Sequence, residues 1–266
     1  GVVCGCGIRG IEKTAKGFTF HTKGGDFYAT KCIMATGGKT LKKSGSDGSG
    51  FLYLESLGHH IIDLVPGLIG LKGKQSFFAD IAGIRADVKV DLYIESTHVC
   101  SEQGELQLTN YGISGIPVFQ LSRVAARALS EQKKVYATLN FVPLWEKEQC
   151  LTYFKERFKK ADEKRIGEAL IGFFPEKLIP VLLEESHIKA AKYANRLQTE
   201  ELERFIDTVQ GLRVDITDWN TFDTAQVTAG GVDTDEIDAE TMESKLCPGL
   251  YFAGEMVDID GICGGS

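Results

Sequence analysis

The chain has 266 residues, 43% of them hydrophobic and 25% charged, with 30 basic residues against 37 acidic ones and a formal net charge of −7. That length is ample for a buried core in one large domain or two smaller ones, and the near-average composition excludes a disordered, collagenous or coiled-coil chain. The acidic balance argues against a nucleic-acid surface and no apolar run approaches the ~20 residues of a membrane span, which leaves small molecules and ordinary proteins as partners.

In chain order, residues 18–22 alternate, 23–26 carry turn chemistry and 27–30 resume, which predicts a hairpin. Residues 32–35 form a short continuous apolar run, the pattern of a strand covered on both faces, and lead straight into Thr36-Gly37-Gly38. A second glycine cluster, Gly45-Ser46-Asp47-Gly48-Ser49-Gly50, opens a helix expected to end at Gly58. Beyond Pro66 and Gly67, residues 84–94 alternate with period two, the strongest strand signal in the chain. Residues 105–108 and 135–141 read as further strands, and Pro117 sits in the first turn of a helix running to about Ser130.

From residue 144 to 209 the apolar spacing turns helical: Leu151, Phe154 and Phe158 share one face, and Leu202, Phe205, Ile206 and Val209 another. Thr199 reads as the start of the last of these helices and Gly211 as its stop. Strands follow at 212–217 and 224–228, and the run 250–253 is a buried strand ending at Gly254-Glu255. Seven scattered cysteines without a C-x-x-C pair imply reduced thiols in a cytoplasmic protein, not a disulfide framework or a zinc site. The chain starts without methionine and stops on glycines, so both ends read as cut from a longer protein.

Two strands that end in glycine carry the chemical signal, because ligands of open α/β sheets bind beyond the carboxyl ends of strands. Thr36, Gly37 and Gly38 would let backbone approach a ligand closely, and Glu255 would offer a carboxylate to a ribose or ribityl hydroxyl; two tight turns with a solvated acid is the alternative. The 45–50 cluster has neither a Gly-Lys-Ser/Thr nor a G-x-G-x-x-G pattern, and reads as a flexible turn or a weak anion site at a helix start. Asp258, Asp260 and Gly261 lack the spacing of a hard-metal loop, so no metal is expected there. His59 and His60 read as favourable charges at a helix end, while His21, His98 and His187 show no Ser or Cys partner.

Four segments carry a resemblance. They are Ile33-Met34-Ala35-Thr36-Gly37-Gly38 followed by the 45–50 cluster; Leu108-Thr109-Asn110-Tyr111-Gly112-Ile113-Ser114-Gly115; Gln226-Val227-Thr228-Ala229-Gly230-Gly231-Val232; and Thr241-Met242-Glu243-Ser244-Lys245 through Pro248-Gly249-Leu250-Tyr251-Phe252-Ala253-Gly254-Glu255 to Gly261. In order and spacing they resemble the aminoacetone-oxidase-like family of conserved NAD(P)/FAD-dependent flavoproteins. The resemblance implies a mixed α+β and α/β fold: a partial FAD-binding domain of the glutathione-reductase type (1–66 and 225–266), interrupted by a β-barrel-like domain (67–142 and 211–224) with an inserted helical subdomain (143–210). It places Ile8 near the adenine, Thr36, Gly37 and Gly38 against the dinucleotide, and Glu255, Asp258, Gly261, Gly264 and Gly265 around the ribityl, pyrophosphate and flavin ring. Gly112 to Gly115 would approach the substrate side, with Tyr111 and Ser114 the residues to test for catalysis.

The implied activity is hydride transfer between NAD(P)H or a small organic substrate and FAD. The alternatives are an oxygen-using oxidase of a small amino ketone and a non-catalytic module that binds protein or RNA. Three departures matter: the family's first strand with its G-x-G-x-x-G turn should precede Gly1, Ser266 replaces the usual continuation after Gly265, and Asp47, Ser49 and the place of Pro117 differ from the family's usual pattern; the first two decide a point. Without the phosphate-binding turn, the fragment alone is expected to be inactive and to bind FAD weakly or not at all.

Overall fold

The structure, a computed structural model, describes residues 1–259 and 261. The chain divides into two compact units, Gly1–Gly67 with Thr221–Ser266, and Leu68–Asn220. The first unit begins with β1 (Ile8–Thr14), β2 (Gly17–Thr22) and β3 (Gly25–Ala29), an antiparallel sheet in that order, in which Phe20 faces Phe27 across the expected hairpin. Then come β4 (Cys32–Met34), α1 (Ser49–Ser56) and β5 (Ile61–Gly67). At the start of α1 the Asp47 carboxylate accepts the Ser49 N–H at 2.9 Å. At its end the Gly58 N–H donates to Glu55 and the His59 N–H to Leu54, the paired bonds that close a helix through a left-handed glycine.

The second unit holds β6 (Leu71–Gly73), α2 (Phe78–Ile81), β7 (Arg85–Ile94), β8 (Thr97–Leu108), β9 (Gly112–Gly115), α3 (Ile116–Ser130), β10 (Val135–Asn140), α4 (Lys147–Lys160), α5 (Ile166–Leu170), α6 (Leu178–Glu185), α7 (Thr199–Gly211) and β11 (Leu212–Trp219). Its six strands close into a barrel in the order β10-β11-β6-β9-β8-β7. Alternation explains the closure: Val88, Val90 and Leu92 from β7, Ala137 and Leu139 from β10, and Val214 from β11 are sealed inside while their neighbours face out. Helices α4 to α7 lie in the connection between the neighbouring strands β10 and β11 and share one continuous apolar core with the barrel. Helix α4 is opened by reciprocal bonds of Glu146 with Gln149, and α7, which begins at Thr199 as expected, by those of its capping residue Gln198 with Glu201. Gly211 is the last residue of α7 and does not lie beyond it.

The first unit resumes with β12 (Val227–Val232), antiparallel to β5, and β13 (Leu250–Phe252), parallel to β4. Two expectations are corrected. The strand expected at 224–228 lies at Val227–Val232, because Phe222–Thr224 forms a 3-10 turn. The run at residue 32 is covered on one face, not two: Cys32 and Met34 join the core with Phe51 and Leu54 of α1, whereas Ile33 between them is 69% exposed. Its only ladder partner among the described residues is β13, and α1 covers a single side. Among the described residues no helix is long and apolar enough to cross a membrane.

Candidate functional site

Strands β4 and β13 run parallel in the register Cys32 to Leu250, Ile33 to Tyr251 and Met34 to Phe252, and the Ala253 N–H extends the ladder by donating to the Met34 carbonyl at 3.0 Å. The two strands therefore end side by side, and the bends that follow them meet. The Glu255 carboxylate accepts the Gly38 N–H at 3.2 Å through Oε2 and the Thr228 N–H at 2.8 Å through Oε1. Thr228 Oγ1 accepts the Lys39 N–H at 2.8 Å and the Thr40 N–H at 3.3 Å. Thr36 donates to the Met256 sulfur with its hydroxyl at 3.2 Å and its N–H at 3.3 Å, and that hydroxyl lies directly against Gly50 in the first turn of α1.

The 45–50 cluster joins the same place. The Gly48 N–H donates to the Gly38 carbonyl at 3.0 Å, and Ser46 presses on Gly37, where a Cβ would come within 2.9 Å of its hydroxyl. That Ser46 hydroxyl is buried without a hydrogen-bond partner. Asp47 is held below its ordinary carboxylate range, chiefly by the Ser49 hydroxyl and then by the Ser49 N–H. A cleft of about 490 Å³ opens alongside, walled by Lys39, Asp47, Ser49 and Glu55, and the Lys39 ammonium sits 4.9 Å from the Phe222 ring centre.

The glycines owe their identity to the protein's own side chains as much as to open space. A Cβ on Gly38 would overlap the Thr228 hydroxyl and come 2.7 Å from Glu255 Oε2. Backbone that faces open space lies instead at Gly254, in the left-handed region beyond β13, where a Cβ would meet nothing within 4 Å. Gly261 likewise meets nothing among the described residues, Asp258 donates its N–H to the Val232 carbonyl, and Ile8 opens β1 with its carbonyl accepting the Tyr53 hydroxyl at 2.7 Å. Gly264, Gly265 and Asp260 lie outside the described residues. Tyr111 and Ser114 belong to the barrel unit. Tyr111 is half-buried beside Gly70, Ser114 is buried in β9, and Gly112 and Gly115 let β9 press against the backbone of β6 and β8.

The histidine readings change. His59 is no solvated helix-end charge: its side chain is fully buried, with Nδ1 2.8 Å from Glu236 Oε2, Nε2 3.0 Å from Ser244 Oγ, and Phe252 edge-on at 5.2 Å. Ser244 Oγ already accepts the Leu246 and Cys247 N–H groups, so its hydroxyl proton goes to His59 Nε2 and the Nδ1 proton to Glu236. Buried and saturated, this trio is a strut and not a nucleophile. His98 does have a serine partner, Ser101 at 2.8 Å, but that hydroxyl donates to Asp91. The Cys32 thiol is pushed up to about 11 by burial and the nearby Cys247, which keeps it unreactive. Among the described residues no group of three or more His, Cys, Asp or Glu side chains is placed to hold a metal ion.

Sequence reasoning missed Thr228 and Ser46 as members of the site. Thr228 lies within the segment 226–232, but nothing local marks it, because the amides it accepts are 188 and 189 residues away. Ser46 was read with its glycines as a flexible turn.

The chain is similar to known proteins along nearly its whole length. The chain is 42% identical over 264 residues to a 3-dehydro-bile acid delta(4,6)-reductase of Clostridium scindens, covering 99% of this chain and 64% of that protein. It is 26% identical over 258 residues to a ribosomal RNA dihydrouridine synthase of Escherichia coli, covering 97% of this chain and 62% of that protein. The synthase of the same name from Haemophilus influenzae matches at 26% over 252 residues, 93% of this chain and 59% of that protein. The chain thus spans between 59% and 64% of the length of these curated relatives. A family model described as the HI0933-like protein Rossmann domain matches residues 2–266, and this chain belongs to that family.

Proposed function

We propose that the intact protein is an FAD-dependent oxidoreductase of the glutathione-reductase type that reduces a conjugated carbon–carbon double bond in a small organic substrate, with NAD(P)H as reductant. One observation carries the reading: two parallel strands end together, and their bends are tied through Glu255, at the place where α/β sheets bind ligands. The site residues fit a flavin nucleotide. Ser46 keeps a buried hydroxyl without a partner, and Gly254 leaves bare backbone facing open space at the end of β13. FAD, when bound, supplies the hydride chemistry, and the protein supplies orientation and electrostatics.

Thr36, Gly37 and Gly254 would lie against the nucleotide, with Gly38 and Glu255 behind them, and Ile8, Asp258 and Gly261 at its margins. Gly264 and Gly265 complete this set by resemblance alone. Tyr111 and Ser114, carried on the barrel unit, are the side chains to replace when looking for the substrate side. The 42% identity to a reductase favours this chemistry over an oxygen-using oxidase of an amino ketone, and the net charge of −7 favours a small molecule over RNA.

The test uses the intact protein. It should purify with a flavin that chromatography identifies as FAD, and it should oxidise NADH or NADPH only when a conjugated dienone is present. A colourless protein that added FAD leaves unchanged overturns the flavin reading. Turnover with oxygen and no nicotinamide nucleotide would replace the reductase with the oxidase.

A further inference from the structure

Three consecutive backbone N–H groups follow β4, those of Gly38, Lys39 and Thr40, and all three donate to side chains brought in from distant parts of the same unit. Successive amides aimed at one point make a concavity suited to an anion. Here the chain fills it from within, with the Glu255 carboxylate on Gly38 and the Thr228 hydroxyl on Lys39 and Thr40. Thr228 is 2% exposed, and a hydroxyl oxygen has two acceptor lone pairs, so these two amides saturate it. Glu255 also accepts the Thr228 N–H, so each of the two acceptors holds the other in place. No gap is left between turn and acceptors, because a Cβ on Gly38 would collide with both.

We propose that Thr228, braced by Glu255, is a positioning residue for the flavin nucleotide. It holds the 36–40 turn in the one shape that presents Thr36 and Gly37 to the ligand, and it touches neither ligand nor reacting atoms. The inference rests on the flavin reading above and adds to it a residue whose contribution passes through backbone amides. Replacing the hydroxyl by a methyl group leaves two N–H groups buried without an acceptor, a penalty that the turn relieves by shifting.

The experiment compares Thr228→Val and Thr228→Ser in the intact protein, with two measurements: amide hydrogen exchange at Lys39 and Thr40 without flavin, and the dissociation constant for FAD by fluorescence titration. Thr228→Val should speed exchange at those two amides and weaken FAD by about tenfold or more, each amide left without an acceptor adding to the loss. Thr228→Ser, which keeps the acceptor, should restore both. Faster exchange with wild-type FAD affinity overturns the positioning role, as does Thr228→Ser behaving like Thr228→Val. Should Thr228→Val fail to fold, Thr228→Ala carries the same comparison at the Lys39 and Thr40 amides, where unchanged FAD affinity is again the contrary result. A wild-type protein that does not bind FAD at all removes the flavin reading itself, and this role with it.

Discussion

In the barrel unit the sealed interior is almost wholly apolar, with Ser114, Ser122 and Ser186 its only buried polar side chains among the described residues. The other unit, with the smaller apolar core, seals in Thr19, Thr40, His59, Thr228 and Ser244, and bonds His59 to Ser244 and Thr228 to the amides of Lys39 and Thr40 across distant chain segments. Both units remove apolar area from water, which is tolerant of detail, but the second adds buried directional bonds between distant segments, which are not. A region built to hold a ligand in one geometry has reason to be of the second kind.

The sharpest way to break this comparison is to damage each interior and read it separately. Both tryptophans, Trp145 and Trp219, lie in the barrel unit, so intrinsic fluorescence follows that unit directly. Phe205 is fully buried among Phe154, Phe158 and Phe174, and Phe205→Ala should lower stability by about 3–5 kcal/mol in urea titrations followed by tryptophan emission. In the other unit, His59→Ala leaves Glu236 and Ser244 facing a void, at a cost of about 2–3 kcal/mol. Hydrogen exchange of the β4 and β13 amides should report that loss more strongly than tryptophan emission does. An equal shift in both probes would mean that the two interiors respond as one.

Gly38→Ala tests directional packing without deleting any hydrogen-bonding group. Its new methyl group would displace Thr228 or Glu255, with an expected cost of about 1–3 kcal/mol, read as faster exchange at Lys39 and Thr40. The smallest effect belongs to the barrel's polar surface. Burial pushes the Asp91 carboxyl up, but Ser101, Lys89 and His98 outweigh it and hold the group below its ordinary range. A depressed carboxyl contributes stability above its unfolded pKa of about 4 and loses it as pH falls through the folded value. Acid titration of the wild-type unfolding midpoint should therefore carry a component, worth up to about 1 kcal/mol, that Asp91→Asn lacks.

The same division governs what was legible in the sequence. Alternation at Val88, Val90 and Leu92 announced a barrel strand, because the period of a strand is written locally. The first half of β8 gives no alternating signal, since Val99 and Cys100 are adjacent and their neighbours from Thr97 to Gln103 are polar, and it pairs because β7 lies beside it. β12 was misplaced because Gly230 and Gly231 weaken its strand signal, and the register shift between Ala229 and Gly231 accommodates them. In the candidate site the glycine bends could be read, but their meeting could not. Gly38 and Glu255 are 217 residues apart, and His59 and Ser244 are 185 apart. No local rule links them, so His59 read as a helix-end charge until Ser244 and Glu236 stood beside it.

The turn after β4 also settles a matter of charge. A bend whose amides are already shared between a carboxylate and a hydroxyl of its own chain has lost its attraction for phosphate, and the negative Glu255 within it repels a second anion. The diphosphate of any nucleotide held nearby must draw on donors other than amides 38–40. Around this bend, added salt should not weaken nucleotide binding, because what it screens there is a repulsion.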